Sequence, residues 1–185
     1  KAEAGVNAIF AQFNQYMPNE DALNAERHND FGYPSVMIFT DQNGYDVVSD
    51  DNGYNWTGNS LDYSDRDYTS NESQIVWNDM YSMISTTNNV IGAIPEDIED
   101  PTGQFFLGQG LASRAFSYWV LVQLYQFNYV GHESAPGVPI ITNENANEAA
   151  LEGAPRSSVQ EVYDLINTDI DKAIELLESA EENGM

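Results

Sequence analysis

Residues 155–177, PRSSVQEVYDLINTDIDKAIELL, decide the fold reading. Val159, Val162, Ile166, Ala173 and Leu177 recur at helical steps and give the segment one apolar face. Ser157 with Gln160, or Ser158 with Glu161, supplies a capping box at its start. One residue is out of place. Arg156 stands just in front of the helix, where the dipole is positive and a cation is unwelcome. The chain has six Lys and Arg against thirty Asp and Glu, so each arginine needs a reason. Arg156 is tolerated if its guanidinium pairs with a carboxylate or with the C-terminal end of another helix.

Three further helices lie upstream. In the first, Val6, Ile9, Phe13 and Tyr16 recur at steps of three and four, and Pro18 ends it. The second begins near Ser73, carries Trp77, Tyr81, Ile84 and Ile91 on one stripe, and stops at AIPEDIEDP. The third spans about 103–127. Its stripe of Leu107, Leu111, Arg114, Tyr118, Leu121 and Tyr125 holds a charged residue, and Phe116, Trp119, Val120 and Val122 make the other faces apolar too. That helix is expected to be central and buried. An unpaired guanidinium there is costly, so Arg114 requires a carboxylate, with Asp79, Asp169 and Asp171 as candidates on neighbouring helices. Arg114 and Arg156 are both read as structural ion-pair residues.

Residues 29–72 have a different texture, dense in Asn, Asp, Gly, Ser and aromatics. A second non-helical stretch, NYVGHESAPGVPIITNENANEAALEGAPR, joins the third and fourth helices, with an extended piece over 138–142. The residues therefore give a mainly α domain over 1–185 with two long structured loops. Loops longer than about 12–15 residues are uncommon unless they are functional or disordered.

The 185 residues are 42% hydrophobic and 12% aromatic, enough to bury a core. A formal net charge of −24 argues against nucleic acid and against anionic lipid, both of which call for clustered Lys and Arg. With no cysteine, disulfides, thiolate chemistry and Cys-ligated metals are excluded in this chain. The most apolar run, AFSYWVLVQLYQF, falls short of the ~20 residues of a spanning helix.

Several chemistries can be weighed. Asp50 with Asp51, Asp65 with Asp67, and Asp97 with Glu99 are carboxylate pairs of the kind glycoside hydrolysis needs, held roughly 5–10 Å apart across a sugar. All three lie in turn-rich segments, where Asp is favoured for local hydrogen bonding. Asp41, Asn43, Asp46, Asp50, Asp51 and Asn52 are hard oxygen donors for calcium. However, DQNGYD brings its glycine two positions too early for the EF-hand pattern, so no cofactor or metal is assigned. His28 and His132 sit in separate loops without a nucleophile signature or a zinc ligand set. GQGLAS at 108–113 lacks the strand that would make it a phosphate cradle.

The aromatic loop carries the most. Tyr45, Tyr54, Trp56, Tyr63 and Tyr68 stand beside Asn52, Asn55, Asn59 and Arg66. A sugar presents an apolar C–H face that lies on an aromatic ring, and hydroxyls that Asn and Arg hydrogen-bond. The same aromatics could instead anchor the loop onto the helices.

The order of segments resembles the SusD/RagB family, the glycan-capturing outer-membrane lipoproteins of Bacteroidota. The matching pieces are KAEAGVNAIFAQFNQYM, then IVWNDMYSMISTTNNVIGAI with its W-x(3)-Y, then GQGLASRAFSYWVLVQLYQF with its Arg-Ala pair. GVPIIT follows, and RSSVQEVYDLINTDIDKAIELL is the most specific, with the family's arginine at Arg156. The resemblance implies a tetratricopeptide-like helical scaffold, although only ASRAF keeps a step of the 34-residue consensus. It also implies a surface protein, lipid-anchored at the outer membrane, that binds a glycan and passes it to a SusC-like TonB-dependent transporter without catalysis. Tyr54, Asn55, Trp56, Asn59, Arg66 and Tyr68 become the expected glycan-binding residues. Family members are far longer and carry an N-terminal lipidated cysteine, so the chain is expected to be the N-terminal portion of a longer one. Two rival functions are a helical-repeat protein-interaction scaffold without a sugar site and a carboxylate-based glycoside hydrolase.

Overall fold

The computed structural model describes residues 2–15, 31–47 and 63–185. Its helices are α1 (Ala2–Gln12), α2 (Tyr33–Gln42), α3 (Asn71–Ile91), α4 (Pro101–Tyr125), α5 (Ala146–Glu152) and α6 (Val159–Glu182), with a 3-10 turn at Ser64–Arg66. The fold is mainly α, and no strand occurs among the described residues. No helix among them is long and apolar enough to cross a membrane. The chain divides into two compact units, Lys1–Ile9 with Met83–Met185, and Phe10–Ser82.

In the first unit α4 and α6 run antiparallel, as their contacts require. Gln104 meets Ser179, Gly108 meets Ala173 and Leu177, and Arg114 meets Asp169. The apolar register explains the pairing. Val159, Val162, Ile166, Asp169, Ala173, Leu176 and Ala180 are the buried residues of α6, at alternating steps of three and four. The steps also explain why one acid is buried: Asp169 occupies a core position of the stripe. Ile91, Leu107, Leu111, Ala173 and Leu176 form a core cluster where the end of α3 meets both helices.

Glycine sets how closely these helices approach. A Cβ on Gly108 would stand 2.8 Å from Leu177 Cγ and 3.2 Å from the Ala173 carbonyl oxygen. A Cβ on Gly5 of α1 would stand 2.6 Å from Val90 Cγ2 of α3. At both places the missing methyl is what lets the neighbouring side chain in.

The ends of the helices are set by local chemistry. Asp100 caps α4, accepting from the Gly103 N–H at 2.8 Å, with Pro101 in the first turn where its missing donor costs nothing. Of the two boxes the sequence offers α6, Ser158 with Glu161 is the one formed. The two hydrogen bonds from Ser158 hold the Glu161 carboxyl below the usual range.

Three features depart from the sequence reading. Residues 29–72 are not loop throughout, because α2 lies within them. Pro34 suits a first helical turn, and Val36 is buried, but ten residues flanked by Asn, Asp and Gly give too short a periodic signal. In α3 the buried apolar residues are Ile75, Val76, Met80, Met83, Ile84, Val90 and Ile91, so Ile84 and Ile91 of the expected stripe are core residues. Trp77 and Tyr81 are half-buried and lean on one another with ring centroids 4.9 Å apart. The stretch between α4 and α6 also contains a helix, α5, which has no buried residue and hence no stripe to read.

Candidate functional site

In the second unit, the part of the aromatic segment that the structure describes is built around Arg66. Its Nε donates to Asn43 Oδ1 at 2.6 Å and its Nη2 to the Asn43 carbonyl at 2.9 Å. The guanidinium lies 4.3 Å from the centroid of the Tyr63 ring. Tyr63 takes φ 62, in the left-handed region that a bulky side chain rarely adopts, and the ring–guanidinium contact accompanies it. Asp67 Oδ1 accepts from both the N–H and the hydroxyl of Thr69, which holds its carboxyl below the usual carboxylate range. Arg66 therefore joins the end of α2 to the 3-10 turn and spends its fork on a protein amide. Asn43, considered above as a calcium donor, has both oxygens engaged by this cation.

The rings of this segment face solvent. Tyr68 is 92% exposed, Tyr45 is fully exposed and Tyr63 is about half exposed. Of the expected glycan-binding residues, Arg66 and Tyr68 are described, and Tyr54, Asn55, Trp56 and Asn59 lie outside the described residues. So do Asp50, Asp51, Asn52 and His28. Asp97 and Glu99 are exposed in the segment before α4.

In the first unit a polar network occupies the centre. Arg114 is 6% exposed and Asp169 3%. Nε and Nη2 of the arginine donate to the two carboxylate oxygens at 2.7 and 2.8 Å, the bidentate geometry that suits a guanidinium. Its Nη1 donates to Asn88 Oδ1 at 3.0 Å and to Asn143 Oδ1 at 3.4 Å. Asn88 passes the network on, its amide donating to the Ile141 carbonyl at 3.0 Å. The Tyr118 hydroxyl accepts from the Ile141 N–H at 2.7 Å and donates to the same carbonyl at 2.9 Å. Burial pushes the Tyr118 phenol up to about 12. This network clamps the GVPIIT segment to α3, α4 and α6.

Arg156 does related work. Its Nη1 donates to the Gly137 carbonyl at 2.8 Å, while Gly137 N–H donates to the Ser157 carbonyl and Ser157 N–H to the Val138 carbonyl. Residues 136–138 are thereby tied to the chain entering α6, through an antiparallel bridge between Pro136 and Ser158. The cation that looked misplaced before a helix is aimed at a carbonyl oxygen.

Sequence reasoning missed Asn88, Asn143 and Asn43 as partners. Asn88 left a trace, because it stands beside Thr87 on a buried face between Ile84 and Ile91. A buried amide at an apolar register position implies a hydrogen-bond partner. Asn43 and Asn143 left none, since both sit in turns where Asn is ordinary.

Residues 4–184 match the model of a SusD-like family described as "Starch-binding associating with outer membrane". The chain is 33% identical over 104 residues to SusD-like protein P38 of Formosa agariphila, a match covering 56% of this chain and 18% of that protein. Among solved structures, a SusD-like carbohydrate binding protein from Bacteroides vulgatus superposes with a TM-score of 0.77 at 26% identity, covering 95% of this chain and 36% of that one. A SusD superfamily protein from Bacteroides fragilis gives 0.70 at 22% identity, covering 92% and 37%, a likeness of fold. The chain thus spans less than two-fifths of the length of these relatives.

Proposed function

Because the chain belongs to the SusD-like family, which binds starch and associates with the outer membrane, we propose that it is the N-terminal helical portion of a non-enzymatic surface protein that captures a glycan. In this reading the longer protein is lipid-anchored and hands its oligosaccharide to a SusC-like TonB-dependent transporter. The family match over 4–184 carries the proposal. The structure supports it in two ways. Arg114 and Asp169, both buried in the helical core, are spent on one another in a bidentate pair. Exposed aromatics are presented at the margins, where Tyr45 and Tyr68 stand in polar segments. An exposed ring buries its area only when a ligand arrives.

The glycan contacts proposed for the second unit are Tyr54, Asn55, Trp56, Asn59 and Tyr68. Arg66 acts there by fixing the segment through Asn43. The test is affinity electrophoresis through gels containing starch and a panel of other polysaccharides, comparing the chain with Trp56→Ala. Retardation that falls several-fold in the variant supports a sugar contact at Trp56. Full retardation of the variant removes Trp56 from the site. Unchanged chain length of the polysaccharide after incubation separates binding from hydrolysis.

A further inference from the structure

The turn that follows α4, residues 126–135, bears an aromatic surface that none of the readings above uses. Phe127 is 72% exposed. The His132 imidazole stacks against it with ring centroids 5.3 Å apart and planes 30° apart. Tyr129 packs edge-on against Tyr163 of α6 at 5.1 Å, and its hydroxyl bonds the Gln160 side chain. The aromatic pair is thus presented by a framework rather than by a loose loop.

That framework is dense. Asn128 Nδ2 donates to the Val130 carbonyl at 3.1 Å, Gly131 N–H to Glu133 Oε1 at 3.1 Å, and His132 N–H to the Tyr129 carbonyl at 3.0 Å. Val159 N–H donates to the Ala135 carbonyl and Gln160 N–H to the Glu133 carbonyl, which fastens the turn to the start of α6. Gly131 has φ +84 with nothing near its missing side chain, so the turn is shaped by backbone conformation and not by crowding.

The histidine is oriented as well as stacked. Its Nδ1 lies 2.9 Å from the Asn128 carbonyl, so a neutral ring carries its proton on Nδ1 and leaves Nε2 as an acceptor. A solvent-facing aromatic ring beside a fixed hydrogen-bond acceptor is what a pyranose needs: the ring receives the C–H face, and the nitrogen receives a hydroxyl proton. Order before binding lowers the entropy lost on capture. A chain of net charge −24 favours a neutral sugar over an acidic one.

We infer that Phe127 and His132 form a glycan subsite on the first unit, separate in sequence from the aromatic segment of the second, which takes a pyranose of a neutral glycan. The subsite rests on the glycan-binding reading above. The test measures dissociation constants for amylopectin and for neutral β-linked polysaccharides with the chain, Phe127→Ala, His132→Ala and Leu151→Ala. Leu151 is an 87% exposed apolar residue on α5 and controls for general surface hydrophobicity. Phe127→Ala is expected to weaken binding about fivefold to tenfold and His132→Ala about fivefold, with Leu151→Ala unchanged. Helical circular dichroism guards against misfolding, and both residues are surface groups of an otherwise unaltered turn. Binding that survives both substitutions overturns the subsite and leaves the glycan reading intact. Equal weakening by Leu151→Ala also overturns it. Binding to no polysaccharide overturns the glycan reading and the subsite with it.

Discussion

Asp169→Ala tests whether the buried pair organises the first unit. Among the described residues, the substitution leaves the Arg114 guanidinium, 6% exposed, with the two amide oxygens of Asn88 and Asn143, at 3.0 and 3.4 Å. Two charge-assisted bonds disappear, at 2.7 and 2.8 Å. At about 1.5–3 kcal/mol each, that is roughly 3–6 kcal/mol. Breaking a buried pair by deleting one partner costs about 3–5 kcal/mol, in agreement. Arg114→Leu strands the carboxylate instead and is expected to cost a similar amount. The double variant removes both charges, so it should cost less than the sum of the single changes by about 3 kcal/mol or more. Urea unfolding followed by tryptophan fluorescence, to which Trp119 on α4 contributes, gives the three free energies. If the double variant loses the sum of the singles to within about 0.5 kcal/mol, the two residues act independently and the reasoning fails.

Two further outcomes follow from the same helices. Tyr118→Phe removes the acceptor of the Ile141 N–H and should cost about 1–3 kcal/mol. Because burial raises the Tyr118 phenol to about 12, above its ordinary 10.0, the folded state is favoured while it is protonated. The parent protein should then lose stability as pH climbs from about 10 towards 12, and Tyr118→Phe should lack that step when unfolding is measured against pH. Gly108→Val drives a side chain into Leu177 and the Ala173 carbonyl, and thermal melts should show a loss of about 1–3 kcal/mol, partly recovered by adding Leu177→Ala.

The helical scaffold was legible because its signals are redundant. In α6 the apolar steps and the two candidate caps, Ser157 and Ser158, place the boundary to within one residue, and the helix begins at Val159. The charged residue in the α4 stripe required a buried carboxylate on a neighbouring helix, and Asp169 meets it because its own position falls on the core register of α6. Choosing among Asp79, Asp169 and Asp171 needed the α4–α6 pairing, which no local pattern encodes. Short elements escaped for the opposite reason. α2 and α5 run ten and seven residues, too few turns for a periodicity to separate from composition.

Binding surfaces are harder to read than scaffold because the same residue types serve both purposes. Composition and position in the loop group Arg66 with the sugar contacts, yet its geometry spends it on Asn43 and Tyr63, a partner twenty-three positions away and one three positions away. Phe127 and His132 carry no signal as a pair in the sequence, since one reads as the tail of an apolar helix and the other as an isolated loop histidine. Their stacking depends on the turn between them, which is closed by backbone bonds that any sequence able to adopt the shape could make. A stripe of core residues announces itself by its period. A platform of two rings is a matter of where a turn ends, and only the folded backbone fixes that.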